Sequence, residues 1–284
     1  MKTFSKRPDA SESRRHVRCA VCLSDCSETH WRCDGYAFVR CHACRHIYQN
    51  PQPDPNDLIS RYDDEYARYE LENAGNFLDL MLKGLDDVSF FDQVADANLD
   101  RSLLDIGCAT GALLEHAARM GYRVQGVEVC EPAARYGIDR RGVPIFVGTL
   151  DEAGLGKQRF GAAHMSHVIE HIPDPRAFLR SVHRHLIPGG LMVMVTPNAS
   201  GLQARLFGSR WRSAIADHVH LFSKRNLRRL LTDEGFQIIR TQTWGGLGIG
   251  TAAPWLKWIA DRSAKRYGFG DVVLVLSRAI ETQC

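Results

Sequence analysis

From residue 101 onward, short apolar runs alternate with stretches whose apolar positions recur every three or four residues. The runs read as strands over 102–106, 123–128, 144–147, 160–166, 191–196, 236–243 and 271–279. The periodic stretches read as helices over 111–120, 131–139, 175–186 and 224–234. Strands 102–106 and 191–196 are apolar at nearly every position, as in central strands covered on both faces. Such alternation predicts an α/β fold with a parallel sheet and crossover helices. The last two strands have no helical crossover of ordinary spacing between them. Upstream, Phe77, Leu80, Met81, Leu85, Val88, Phe91 and Val94 share one helical face between Phe77 and Leu99. This helix is expected to pack on the sheet or to cover a ligand. The chain then divides into a disordered tail (1–17), a cysteine-bearing unit (18–60), a helical linker or cap (61–100) and the main α/β domain (101–284). Asn50-Pro51-Gln52-Pro53-Asp54-Pro55 marks a stiff boundary, since each proline biases its predecessor away from helix.

The most informative stretch is Leu103-Leu104-Asp105-Ile106-Gly107-Cys108-Ala109-Thr110-Gly111. A strand that turns through glycines into a helix lets a ligand approach the backbone and the helix N-terminus closely. The next strand delivers Glu128, 21 residues after Gly107. A carboxylate there can accept hydrogen bonds from both hydroxyls of a ribose. Together these predict a nucleoside-containing cofactor. The turn lacks the full G-x-G-x-x-G, which disfavours NAD.

The 284 residues suffice for one large domain plus a small appendage, and a hydrophobic content of 44% fits a sizeable core. A net charge of +3 is nearly balanced, so bulk electrostatics do not argue for a nucleic-acid partner, and none is expected. The N-terminus (Lys2, Lys6, Arg7, Arg14, Arg15, Arg18) is basic without an apolar core, unlike a secretory signal. No run approaches the ~18 apolar residues of a membrane span. A cytoplasmic location is expected.

Nine cysteines in such a chain point to reduced thiols and a metal. Cys19-Ala20-Val21-Cys22 and Cys41-His42-Ala43-Cys44 form two C-x2-C pairs. Each pair can supply two corners of a tetrahedron, so Cys19, Cys22, Cys41 and Cys44 are expected to hold a structural zinc in a ribbon. Cys26, Cys33, His42 and His46 stand nearby as spare ligands, and a redox pair or free thiols are the competing readings. Four protein ligands would leave the metal no open position for chemistry.

At the glycine turn the chain resembles the class I S-adenosylmethionine (SAM) methyltransferases, whose first motif reads D-x-G-x-G-x-G. Ala109 stands where the middle glycine usually falls. Ser166-His167-Val168-Ile169-Glu170-His171-Ile172-Pro173-Asp174-Pro175 resembles the segment after the fourth strand in ubiquinone-type and related small-molecule methyltransferases. Pro188-Gly189-Gly190 before Leu191–Val195 resembles their approach to the fifth strand. Asp217-His218-Val219-His220-Leu221-Phe222-Ser223 is similar to a segment of a zinc-containing subgroup often associated with sugar and glycan modification. That subgroup also carries an N-terminal cysteine cluster followed by N-P-x-P, as Asn50-Pro51-Gln52-Pro53 does here. The resemblance covers roughly residues 101–284. It implies a seven-stranded Rossmann-like sheet, with strand seven antiparallel between strands five and six, and a small N-terminal zinc-binding domain. It also implies SAM binding by Asp105, Gly107, Cys108, Gly111, Glu128, Val129, Thr149, Leu150 and His167, with Leu150 as an apolar wall beside the adenine.

Methyl transfer is an in-line displacement at a sulfonium, so the protein must align donor and acceptor and, for a hydroxyl or carbon acid, remove a proton. Candidate bases are histidines at carboxyl ends of strands: His167, His171, His218 and His220. His167 and His171 share a face if their segment turns helically; Glu170 and His171 are equally readable as braces of the loop. His218 and His220 alternate, so at most one is expected to point inward. Trp211 reads either as a face for the sulfonium or as a lid anchor. The basic stretch 201–225 carries Arg205, Arg210, Arg212, Lys224 and Arg225. It suits an anionic handle such as the diphosphate of a nucleotide-activated sugar, or forms a solvated lid. Gly246-Leu247-Gly248-Ile249-Gly250 lacks the Lys-Ser/Thr ending of a phosphate loop and reads as a mobile turn. The expectation is SAM-dependent methylation of a small-molecule or saccharide acceptor, with a homodimer left open. An RNA methyltransferase whose ribbon grips RNA, and a SAM-binding scaffold without turnover, are the alternatives.

Overall fold

A computed structural model describes residues 13–245 and 262–280. The glycine run 246–250 lies outside the described residues. The N-terminal unit contains β1 (Arg14–Arg15), β2 (Ser27–Cys33), β3 (Tyr36–Cys41), β4 (Ile47–Gln49) and β5 (Gln52–Pro53). Helices α1 (Pro55–Ile59), α2 (Asp64–Asp87) and α3 (Phe90–Asp96) lead into the main domain. There β6 (Ser102–Ile106), α4 (Ala112–Arg119), β7 (Arg123–Glu128), α5 (Glu131–Tyr136), β8 (Ile145–Val147) and β9 (Phe160–Ser166) follow in order. The chain continues through α6 (Pro175–Arg184), β10 (Leu186–Pro197), α7 (Leu202–Phe207), β11 (His220–Leu221), α8 (Lys224–Asp233), β12 (Phe236–Trp244) and β13 (Val272–Ala279).

Seven strands form one sheet in the order β12-β13-β10-β9-β6-β7-β8. β13 runs antiparallel to both β10 and β12, while β10, β9, β6, β7 and β8 run parallel. This is the expected Rossmann-like arrangement. Every residue of β6 is buried, as its apolar run requires. Helices α6 and α8 start where their sequences provide caps: Asp174 accepts from the Ala177 amide, and Ser223 from the Asn226 amide. The reading of 131–139 as one helix is corrected. α5 gives way to a π-helical turn at Gly137–Arg141.

The Phe77–Leu99 helix divides. α2 ends at Asp87, Ser89 adopts φ 51°, and α3 begins at Phe90. Leu85, Val88, Phe90 and Val94 pack with Leu103, Ala162, Leu191 and Val193 on one face of the sheet. α2 also begins earlier, at Asp64, capped by Asp63. Its opening turns lack a continuous apolar stripe because they rest on a small contact, where Ala67, Tyr62 and Tyr66 meet Cys130 and Ala133.

The N-terminal unit is sewn to the main domain. β11 pairs antiparallel with β4, giving a four-stranded sheet β11-β4-β3-β2. The Gln49 side-chain amide donates to the Ala216 and His218 carbonyls at 2.8 and 2.9 Å. Arg14 and Arg15, within the stretch expected to be disordered, pair with Pro53 and Gln52. Among the described residues no helix is long and apolar enough to cross a membrane.

Candidate active site

The glycine turn sits at the carboxyl end of β6, where parallel strands present a crevice. Gly107, Ala109 and Gly111 have φ of 70°, 46° and 71°. At Gly107 a Cβ would lie 2.4 Å from Val168 Cγ2, so glycine is required there. Ala109 bears a left-handed conformation that costs a non-glycine residue roughly 1 kcal/mol. The loop is held by Glu128 at the end of β7. Its Oε2 accepts from the Ala109 amide and its Oε1 from the Cys130 amide, both at 2.8 Å. Burial raises the Glu128 pKa, and the two amides pull against it. Each carboxylate oxygen keeps a lone pair for a ribose hydroxyl, so the site fits a nucleoside.

The other residues expected at the cofactor divide. Asp105 accepts from His164 Nδ1 at 2.7 Å within the sheet. Cys108 packs among Leu114, Ala134, Val143 and Ile145. Val129 is half-buried just beyond Glu128. The Thr149 amide and hydroxyl both donate to Glu152, and Leu150 is buried in the main core.

A second cluster lies at the end of β9. His167 has φ 57° and a half-exposed side chain (49%). Its Nδ1 meets Glu170 Oε1 at 3.0 Å, and Glu170 Oε2 accepts from the Thr196 hydroxyl at 2.8 Å. Burial would raise the Glu170 pKa. The hydrogen bond from His167 and the proximity of the His167, His171 and His218 rings outweigh it and hold the acid at about 2. His171 Nδ1 donates to the Asp217 carbonyl at 2.9 Å and His218 Nδ1 to the Ser213 carbonyl at 2.8 Å. A carbonyl only accepts, so in each ring Nδ1 carries the proton and Nε2 the lone pair. Burial lowers both pKa values, that of His218 to about 3. The two rings meet edge to face at 4.7 Å, and Tyr62 stands edge-on to His171 at 6.0 Å. Glu170, His171 and His218 each offer a ligand-capable atom within 4.8 Å of the others, a donor set that could hold a divalent cation. The buried Arg61–Asp217 ion pair, at 2.7 Å, anchors this loop. Tyr62, Tyr66, Arg61 and Thr196 were missed by sequence reasoning, although Tyr62 and Tyr66 are four residues apart around the Asp63 cap.

His220 is placed differently. Its Nδ1 meets His46 Nε2 at 3.1 Å, its Nε2 meets the Pro173 carbonyl at 3.3 Å, and it lies between Tyr48 and Phe222 in the seam to the N-terminal unit. Burial lowers its pKa from 6.5 to about 4, with Pro173 partly offsetting. The unfolded chain therefore binds a proton that the folded one refuses. The stability from keeping this ring neutral is complete above pH about 6.5 and is lost as pH falls toward about 4. His220→Phe is expected to flatten that part of the pH profile, read as urea midpoints at pH 7 and pH 5. An unchanged slope would refute the assignment.

Of the two readings of Trp211, its burial suits the anchor of the 201–225 segment and not a face open to a ligand. The ring packs with Phe38, Ala204 and Leu221, and its Nε1 donates to Asp271. Arg212 Nε also donates to Asp271, at 2.6 Å. Arg212 is thereby committed to a buried carboxylate, while Arg205, Arg210 and Arg225 face solvent.

The four cysteines converge. Cys19 and Cys44 Sγ are 3.5 Å apart, Cys22 and Cys41 Sγ 3.4 Å, and all four lie within 4.8 Å of one another. Zn–S bonds of ~2.3 Å imply tetrahedral edges of about 3.8 Å. Leu23 and Arg45, each just after its second cysteine, have φ of 62° and 64°, so the two knuckles are built alike. This donor set fits a structural zinc.

A methyltransferase-domain family profile matches residues 57–241. The ubiquinone biosynthesis O-methyltransferase of Ruegeria pomeroyi is 38% identical over 104 residues, 34% of this chain and 41% of the relative. That of Cereibacter sphaeroides is 34% identical over 116 residues, 38% of this chain and 47% of the relative. The chain thus spans less than half the length of these curated relatives. A SAM-dependent methyltransferase from Archaeoglobus fulgidus superposes with a TM-score of 0.54 at 17% identity, covering 76% of this chain and 100% of its own. One from Thermotoga maritima gives 0.50 at 21%, covering 63% and 82%. At these identities the two structures speak for the fold. With the profile spanning most of the chain, from α1 through β12, the protein belongs to the methyltransferase-domain family.

Proposed function

We propose that the protein transfers the methyl group of SAM to a hydroxyl of a small molecule. The observation that carries this reading is the chain Thr196–Glu170–His167 at the end of β9, on the same sheet edge as the turn held by Glu128. SAM would lie on the Gly107–Gly111 turn, with Glu128 taking the ribose hydroxyls, and would supply an electrophilic methyl on a good leaving group. His167 Nδ1 is held by the buried Glu170 carboxylate, which directs Nε2 outward to receive the acceptor's proton. Thr196 fixes the other oxygen of Glu170. His171 and His218, tied to backbone carbonyls, shape the acceptor side, and His220 braces the seam. The ribbon over 18–60 holds one zinc, and 61–100 caps the cofactor crevice. Similarity to the ubiquinone-type O-methyltransferases supports oxygen as the acceptor atom.

The test is incubation with methyl-labelled SAM and a cell-extract metabolite pool, with mass-spectrometric identification of the labelled product. Label found only on nitrogen or carbon would overturn the hydroxyl assignment. His167→Gln is expected to lower kcat by about 10²–10⁴-fold while leaving SAM affinity within about twofold. Equal turnover in that variant would remove His167 from the mechanism. A saccharide carried on a nucleotide diphosphate is a narrower version, supported by the segment Asp217–Ser223 and the exposed Arg205 and Arg210. It predicts inhibition by nucleoside diphosphates that is relieved in Arg210→Ala, and no inhibition in either protein would exclude it.

A further inference from the structure

Helix α2 is entered through three consecutive residues that each touch a wall of the candidate site. Arg61 Nη1 pairs with Asp217 Oδ1 at 2.7 Å, and both side chains are nearly buried. The half-buried Tyr62 ring stands edge-on to His171 at 6.0 Å and to Tyr66 at 4.9 Å, and both tyrosines pack against Ala67, Cys130 and Ala133. The Asp63 carbonyl accepts from Cys130 Sγ at 3.7 Å. Cys130 also donates its amide to Glu128 at the end of β7, whereas His171 belongs to the loop that follows β9. In the sheet, β6 lies between β7 and β9. Neighbouring strands ~4.8 Å apart put β7 and β9 about 10 Å from each other. A ring that reaches the segments following both of these strands therefore spans the carboxyl end of β6, where the chain turns through Gly107–Gly111.

The contacts close into a circuit. Tyr62 meets the His171 ring, His171 Nδ1 donates to the Asp217 carbonyl at 2.9 Å, the Asp217 carboxylate holds Arg61, and Arg61 precedes Tyr62. None of these residues can move far without the others. His171 in turn meets His218 edge to face. We infer that Tyr62 is a positioning residue that lies over bound SAM and couples its presence to the acceptor side. Cofactor on the glycine turn pins the ring, and the circuit then orders His171 and the loop 213–221. This rests on the SAM reading of the site and adds an order of events, SAM before acceptor. A ring packed on cofactor loses freedom that it keeps beside solvent, and a segment that opens locally is stabilised by whatever binds only its closed form.

Hydrogen exchange on the full chain, with and without SAM, tests this. In the wild type, saturating SAM is expected to slow exchange about tenfold over 213–221 as well as over 107–111. Tyr62→Phe keeps the ring and should respond in the same way. Tyr62→Ala should bind SAM about tenfold more weakly, the scale of one lost aromatic contact. At SAM concentrations that restore saturation, protection should return over 107–111 but not over 213–221. A ring that only braced the fold would change exchange over 213–221 equally with and without SAM. A wild-type loop indifferent to SAM, or a response over 213–221 as large in Tyr62→Ala as in the wild type, would overturn the inference while leaving the SAM reading intact. Failure of the wild type to bind SAM would sink both. If Tyr62→Ala does not fold, Arg61→Gln carries the test, since it opens the circuit at Asp217 and leaves the ring in place. That variant should keep SAM affinity within about twofold and lose the response over 213–221, and a retained response would overturn the inference.

Discussion

Gly107→Val is expected to abolish SAM binding, by more than about a hundredfold, while metal content at the N-terminal cysteines stays unchanged. Two effects combine. A β-branched residue at φ 70° is strained by roughly 1–2 kcal/mol. The new Cβ would also stand 2.4 Å from Val168 Cγ2. Val168 lies between His167 and Ile169, so any movement that relieves the clash shifts His167 together with the turn. The Gly107 and Cys108 amides both point at the Val127 carbonyl, which leaves the loop little room to give elsewhere. Calorimetry measures the loss, and a thermal melt distinguishes a damaged site from a damaged fold. Ordinary SAM affinity in this variant would remove the turn from the binding site and with it the basis of the proposed function.

Cys41→Ser combined with Cys44→Ser is expected to remove the metal, unfold the ribbon and loosen the acceptor side of the main domain. Binding and folding are coupled in small zinc units, where the metal contributes on the order of 10 kcal/mol. The consequence here extends further, because β11 is a strand of the ribbon's own sheet and Gln49 grips the carbonyls of Ala216 and His218. Asn226 also donates to the Cys44 carbonyl at 3.0 Å, and Arg176 to the Ala20 carbonyl at 2.7 Å. Hydrogen exchange should therefore accelerate over 213–221 as well as over the ribbon, and SAM affinity should change far less than turnover. Native protein without zinc, or unchanged protection over 213–221 after metal removal, would show that the ribbon neither holds metal nor supports the site.

Six strands of the main sheet were legible to within a residue, most plainly the apolar runs such as β6. β10 instead begins at Leu186, five residues before the expected 191 and inside the stretch 175–186 that reads as helix, because Pro188-Gly189-Gly190 masks its first turn onto β9. Burial on both faces leaves little freedom in an apolar run. The glycine turn was legible for a related reason: Gly107 and Gly111 occupy conformations that other side chains resist. The cysteine pairs were equally local, since a C-x2-C knuckle sets two thiols on one side within four residues. The opening turns of α2 escaped notice because their contacts are a few small residues on α5 and not an apolar stripe. The histidines could be nominated but not sorted. His218 joins the cluster at β9, while His220, two residues on, is held by His46, which is 174 residues away in sequence. The arginines of the insertion carried no mark of their partners. Arg212 meets Asp271, and Asp217, the one acid among those cations, meets Arg61 across 156 residues. Periodicity, backbone conformation and knuckle geometry are set by neighbours along the chain. Which charge is paired, which ring is buried and which strand joins which sheet depend on groups brought together only by folding.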